Sequence, residues 1–245
     1  MDKTEKTERY NIFNLIHKGL RRVLYDTALQ LQRADFGSDE ESQRVLSQLD
    51  LTLNYFEGHA EAEDMFILPA IQRFDPAMVQ DFESQHVEDH RLGHLLMLLK
   101  ENVMSEDNAK GRISAATELT HAFNEFVGFN LYHMNKEEAF INPLLWTHFT
   151  DLELQAITQQ IIQNIAPQKL ITLNRWMMRS INLTEATEWL SSVRKNAPAE
   201  VYNGFLVMAA EELEPETWLQ LRNKMNVNGE NGRADTQMIT NSPRN

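Results

Sequence analysis

Two short stretches of this chain are near copies of each other: His59-Ala-Glu-Ala-Glu63-Asp64-Met-Phe66-Ile67-Leu-Pro69 and His133-Met-Asn-Lys-Glu137-Glu138-Ala-Phe140-Ile141-Asn-Pro143. Each sets an imidazole and a carboxylate four residues apart, followed by Phe-Ile and then Pro at the same offsets. On an α-helix, positions i and i+4 lie about 40° apart around the axis and roughly 6 Å along it, so both side chains reach one point. The chemistry on offer is metal ligation by nitrogen and oxygen. A third stretch, Gln85-His86-Val-Glu88-Asp89-His90-Arg-Leu-Gly-His94, adds three histidines at i+4 steps, and His17 lies beside the apolar stripe of an earlier segment.

Composition narrows the options. The 245 residues contain no cysteine, which removes disulfides, thiolate zinc sites, iron–sulfur clusters held by the chain's own thiolates and cysteine nucleophiles. A formal charge of −13 leaves no large basic surface, arguing against nucleic acid and against an anionic membrane as partners. The first residues are highly charged, and no run of about 18 apolar residues follows. The expectation is a soluble, cytoplasmic protein.

Nine Gly and seven Pro are few for this length. With abundant Leu, Glu, Gln, Ala, Met and Lys, which lose little rotamer freedom in a helix, they predict an all-α protein. Apolar residues recur at helical spacing over 10–34; Ser38 and Glu41 form a capping-box pattern ahead of a helix over 39–74. Asp75-Pro76 opens a third helix fading near Ser105, the polar stretch 106–112 connects, and a fourth helix runs over 112–149. Four long helices with short connections predict an up-down-up-down four-helix bundle.

The spacing from His17 to His59 is 42 residues and that from His90 to His133 is 43. This suggests a duplicated helix hairpin in which His17 matches His90, His59 matches His133, Glu63 matches Glu137 and Pro69 matches Pro143, with His86 as an extra ligand. Seven candidate ligands then converge: His17, His59, Glu63, His86, His90, His133 and Glu137. One His-x-x-x-Glu pair is a weak signal. Burying five imidazoles and two carboxylates in register without a partner would cost several kcal/mol, however. The donor set suits iron or manganese well and zinc tolerably. Asp64 is placed to orient an imidazole from behind, Glu88 and Asp89 read as a solvated face, and His94, His121 and His148 as ordinary boundary histidines.

Beyond Thr150 the helices shorten, with Pro167, Pro198 and Pro215 as helix starts. The expected organisation is a metal-binding bundle over 1–150, a C-terminal helical unit over 151–226 for homo-oligomer assembly or a protein partner, and a disordered tail over 227–245.

The ordered pattern of one His (His17), then His-x-x-x-Glu (His59, Glu63), then His-x-x-x-His (His86, His90), then His followed by an acid (His133 with Glu137 or Glu138) resembles the hemerythrin-like (HHE) proteins. The resemblance covers roughly residues 10–150. It implies two non-haem iron ions, oxo- or hydroxo-bridged. One would be held by His86, His90 and His133 and the other by His17 and His59, with Glu63 and Glu137 bridging. The second iron is then one ligand short, and that vacancy would take O2. Oxygen-carrying relatives place an acid five residues after the last His, which matches Glu138, whereas relatives in iron sensing or iron–sulfur repair often use Glu at four, which matches Glu137. The internal repeat favours Glu137, with Glu138 as the fallback. The expected function is O2 binding or sensing. The rivals are an enzyme acting on peroxide or nitric oxide, an iron donor for cluster repair, and an interaction protein whose metal is structural.

Overall fold

A computed structural model describes residues 9–225, and the stretch expected to be a disordered tail lies outside them. Helices α1 (Asn14–Arg33) and α2 (Asp39–Ala62) form the first hairpin. A π-helical turn, π1 (Glu63–Ile67), continues α2 into α3 (Leu68–Ile71). Helices α4 (Pro76–Ser105) and α5 (Ala109–Lys136) form the second hairpin, and a second π-turn, π2 (Glu137–Ile141), continues α5 into α6 (Asn142–His148). Then come α7 (Asp151–Asn164), α8 (Pro167–Met178), α9 (Leu183–Asn196), α10 (Ala199–Glu212) and α11 (Pro215–Lys224). Among the described residues there is no strand. The fold of the described residues is all-α, a bundle of four long helices followed by further helices.

Helix starts follow the sequence signals. Asp75 accepts the Met78 amide at 2.9 Å ahead of Pro76, and Thr150 and Glu153 cap each other's amides in a full capping box. Ser38 accepts the Glu41 amide at 3.3 Å, but the Glu41 carboxylate turns to Arg44, so only half of the expected box forms. Asn108 accepts the Gly111 amide and starts α5 at Ala109, earlier than the polar character of 106–112 suggests.

Helix α1 packs on α2 and α5, α2 on α4, and α4 on α5, closing a ring of four. One end of the ring is filled by Ile12, Phe13, Ile67, Leu68, Ile71, Phe82, Ile141, Leu145 and, from α7, Leu154. Arg9, ahead of α1, is tied to this end through Asp151 Oδ1 (2.6 Å) and the carbonyls of Trp146 and Phe149. Helix α8 lies across α1 and α2, where glycines allow close approach. A Cβ at Gly19 would meet Met177 Cγ at 2.9 Å, and Lys169 Nζ passes over Gly58 to reach the Asn54 carbonyl at 2.8 Å.

The compact unit containing the bundle therefore extends to Met177, beyond the boundary expected near Thr150, and a second unit begins at Met178. In the second unit, α9 packs on α10 and α11. Ala186, Leu190, Ala209 and Leu221 are fully buried there, Trp189 meets the Phe205 ring edge-on at 5.2 Å, and Arg179 pairs with Glu212.

Candidate metal centre

The bundle core holds six charged or titratable ligand-type side chains next to its apolar end. Four-residue sets His17, His59, Glu63, Glu137 and Glu63, His86, His133, Glu137 each bring one ligand atom per residue within 4.8 Å of one another. Both glutamates belong to both sets. Glu63 turns Oε1 toward His59 Nε2 (3.4 Å) and Oε2 toward His86 Nε2 (3.3 Å). Glu137 turns Oε2 toward His17 Nε2 (3.3 Å) and Oε1 toward His133 Nε2 (2.9 Å). Each carboxylate thus offers one oxygen to each half, the arrangement of a bridging ligand.

These inward atoms lack hydrogen-bond partners. His17 Nε2, His59 Nε2, His86 Nε2 and all four oxygens of Glu63 and Glu137 are buried and unsatisfied. Leaving that many polar atoms orphaned costs roughly 1–3 kcal/mol apiece, so a cation fits the cluster where no partner among the described residues does. The outward ring nitrogens are held: His17 Nδ1 meets Glu138 Oε1 at 2.8 Å, His86 Nδ1 meets Asp64 Oδ1 at 2.6 Å and His133 Nδ1 meets Gln85 Oε1 at 3.2 Å. An acceptor behind Nδ1 fixes the proton there and leaves the Nε2 lone pair pointing inward, as metal ligation needs. Arg21 supports Glu138 at 2.7 Å.

The electrostatics agree. Burial, then the neighbouring His17, lowers the His59 pKa to about 3, keeping that imidazole neutral. Burial, then the adjacent Glu137, raises Glu63 well above the usual carboxyl range. For Glu137 burial pushes upward, but the hydrogen bond and attraction from His133 outweigh it and hold the group below the usual carboxylate range. The two carboxyls sit in one dry cluster, and each opposes ionisation of the other.

The register of α4 corrects two expectations. His90 is exposed and belongs to neither set, while Asp89, expected on a solvated face, is 4% exposed. At about 100° per residue, the buried residues Val79, Phe82, His86, Asp89, Leu92, Leu96 and Val103 span from about 20° on one side of His86 to about 120° on the other, and His90 falls about 40° toward the wrong edge. The seam steps four residues from Phe82 to His86 and then three to Asp89, as it does through Phe13, His17 and Leu20 on α1.

His17 is thus matched by His86 and not by His90. The matching separations are 42 residues (His17 to His59) and 47 residues (His86 to His133), because the second hairpin is about one turn longer in each arm. The expected three-to-two division of histidines becomes two and two. The signal that marks the true partner is a Phe four residues before each: Phe13 stacks on His17 at 4.8 Å, and Phe82 meets the His133 ring edge-on at 5.8 Å. Glu138, the fallback bridge, stands behind His17 instead and lies in neither set. Asp64 takes the matching place behind His86. His94, His121 and His148 are exposed, the last stacked on Phe74 at 3.7 Å.

The pattern of the hemerythrin HHE cation binding domain matches residues 9–145, more than half of the chain. The chain belongs to the hemerythrin HHE family. As an HHE domain it is a cation-binding module, and the six-residue His/Glu cluster is where a metal can be held. Among curated proteins it is similar to F-box/LRR-repeat protein 5 of Bos taurus, 24% identical over 66% of this chain and 23% of that protein. The protein of the same name from Salmo salar is 22% identical over 79% of this chain and 27% of that one. The chain spans about a quarter of the length of these relatives. No solved structure matches it. Among the described residues, no helix is long and apolar enough to cross a membrane.

Proposed function

We propose that this HHE domain holds two non-haem iron ions and binds or senses O2 at them. The observation that carries the reading is the crossed sharing of Glu63 and Glu137, one oxygen of each to either half, between two pairs of imidazoles. Two-histidine sites with carboxylates and no thiolate suit iron, and carboxylate-bridged metal pairs are a recognised use of four-helix bundles. Four protein donors per half also leave coordination positions free. A pair of ferrous ions would supply an open position and the electrons that O2 takes up.

The chain's own residues do the rest. Glu138, Asp64 and Gln85 hold three imidazoles in the ligating tautomer. Phe13, Phe82, Ile67 and Ile141, all nearly fully buried, exclude water from the end next to the cluster, which slows escape of a reactive oxygen species to solvent. Glu63 and Glu137 balance part of the metal charge without bringing in solvent.

Anaerobic loading with ferrous iron should give about two irons per chain, and admission of air should produce the charge-transfer absorption of a bridged ferric pair. Failure of both refutes the proposal. Reversible oxygenation supports a carrier or sensor, whereas rapid turnover of added peroxide or nitric oxide assigns an enzyme built on the same centre.

A further inference from the structure

The two halves of the cluster match ligand for ligand, but the groups that hold the imidazoles from outside do not match. At the His86/His133 half both rings are held: Asp64 Oδ1 stands 2.6 Å from His86 Nδ1, and Gln85 Oε1 stands 3.2 Å from His133 Nδ1. At the other half His17 is held by Glu138 Oε1 at 2.8 Å, whereas among the described residues no hydrogen bond holds His59 Nδ1. The His59 imidazole is also the most open of the four, at 10% exposure against 0% for His17, 3% for His86 and 5% for His133.

The two acids differ as well. The Glu138 oxygen that faces His17 also accepts from Arg21 Nη2 at 2.7 Å, and Arg21 reaches Asn135 Oδ1 at 3.3 Å. Among the described residues, Asp64 has no Arg or Lys partner. An acceptor behind Nδ1 makes Nε2 a stronger donor, and a guanidinium that shares the acceptor's charge takes part of that effect back. Arg21 also sets a fixed positive charge on the His17 side, which repels a cation held there.

We propose that the cluster fills in a fixed order: the His86/His133 half takes the first metal ion and keeps it, and the His17/His59 half takes the second and releases it first. The unheld His59 and the pairing of Arg21 with Glu138 set the difference. The inference rests on the dinuclear reading above and adds an order to it. One missing outer partner is typically worth about 10–100-fold in metal affinity, so His59 alone separates the halves by about tenfold or more, and Arg21 widens the gap.

The test uses the full chain and Co2+ as a redox-stable stand-in for ferrous iron. In the native protein the first equivalent should bring two paramagnetically shifted, solvent-exchangeable imidazole N–H signals, from His86 and His133, whose protons are held by acceptors. The second equivalent should add one, from His17, because the His59 proton exchanges with water. One signal followed by two, or all three together, would overturn the order without any variant having to fold. Two variants then compare the halves free of repulsion between neighbouring ions. In chelator competition His17→Ala, which reports the His86/His133 half, should hold its ion at least tenfold more tightly than His86→Ala, which reports the other. Adding Arg21→Met should tighten the ion of His86→Ala at least threefold and leave that of His17→Ala within twofold. Equal affinities in the two single-half variants overturn the order, and an ion loosened by Arg21→Met shows that Arg21 only braces Glu138 and overturns its role; both results leave the dinuclear reading standing. A native protein that takes up fewer than two Co2+ overturns the order and the dinuclear reading together.

Discussion

Replacing His86 and His90 separately by alanine gives opposite expected outcomes. His86 is 2% exposed, its Nε2 lies 3.3 Å from Glu63 Oε2 and its Nδ1 is held by Asp64. His86→Ala strips one of two imidazoles from its half and leaves His133 with two shared carboxylates. Loss of an outer-shell partner alone typically costs about 10–100-fold in metal affinity, so loss of the ligand should exceed about 100-fold, or about 2.7 kcal/mol. The His17/His59 half retains all four donors. Metal content should therefore fall from two ions per chain to one. His90 is exposed and in neither ligand set, and its replacement should leave metal content unchanged and shift stability by less than about 0.5 kcal/mol. Elemental analysis after equilibration against a chelator of graded concentration, with thermal melts of the metal-free variants, makes the comparison. A His90→Ala protein that loses an ion while His86→Ala keeps both would refute the three-residue step of the α4 seam.

Two further outcomes follow from the same geometry. Glu63→Leu removes a buried carboxyl whose two oxygens are both unsatisfied, so it should abolish metal binding yet raise the melting temperature of the metal-free protein by roughly 2–10 °C. A metal-free variant that melts below the native protein would show that the carboxyl is satisfied after all. Asp64→Asn and Glu138→Gln keep shape but weaken the hold on His86 Nδ1 and His17 Nδ1, and each should lower affinity about 10–100-fold in chelator competition with two ions still bound at saturation. Unchanged affinity in both would remove the orienting role.

The sequence carried the four long helices because their signals are local: apolar residues at helical spacing, Asp75-Pro76, Thr150 with Glu153. It also carried four of the cluster's six residues through the repeated His-x-x-x-Glu stretches, since an i+4 pair on one helix needs no knowledge of any other. What it could not carry was the pairing between hairpins. The near equality of 42 and 43 residues drew His17 toward His90, whereas loop and arm lengths differ between the hairpins and separation along the chain is a poor guide to depth in the bundle. The better guide is the alternation of four- and three-residue steps along a helix seam, which selects Asp89 over His90 and turns a presumed surface acid into a buried one. Glu138 was misplaced for a related reason. Its position on its own helix says that it points away from His133, but not that His17 waits there on α1.

The paired acids and the shared prolines have one explanation. Pro69 and Pro143 lack the N–H that an α-helix would bond to residues 65 and 139, and their rings crowd those carbonyls. Both helices respond with a wider turn just upstream, in which the amide of Leu68 bonds to the Glu63 carbonyl and that of Asn142 to the Glu137 carbonyl, five residues back. Each wide turn begins at the glutamate that faces both halves of the cluster and continues into the next acid, which points sideways to an imidazole on a neighbouring helix. Glu63 and Asp64 thus act on His86 of the other hairpin, and Glu137 and Glu138 act on His17. Every half of the cluster draws histidines from one hairpin and a carboxylate from each, so neither hairpin can assemble a half alone. Occupancy of the cluster by metal therefore reports that the two hairpins have closed on each other.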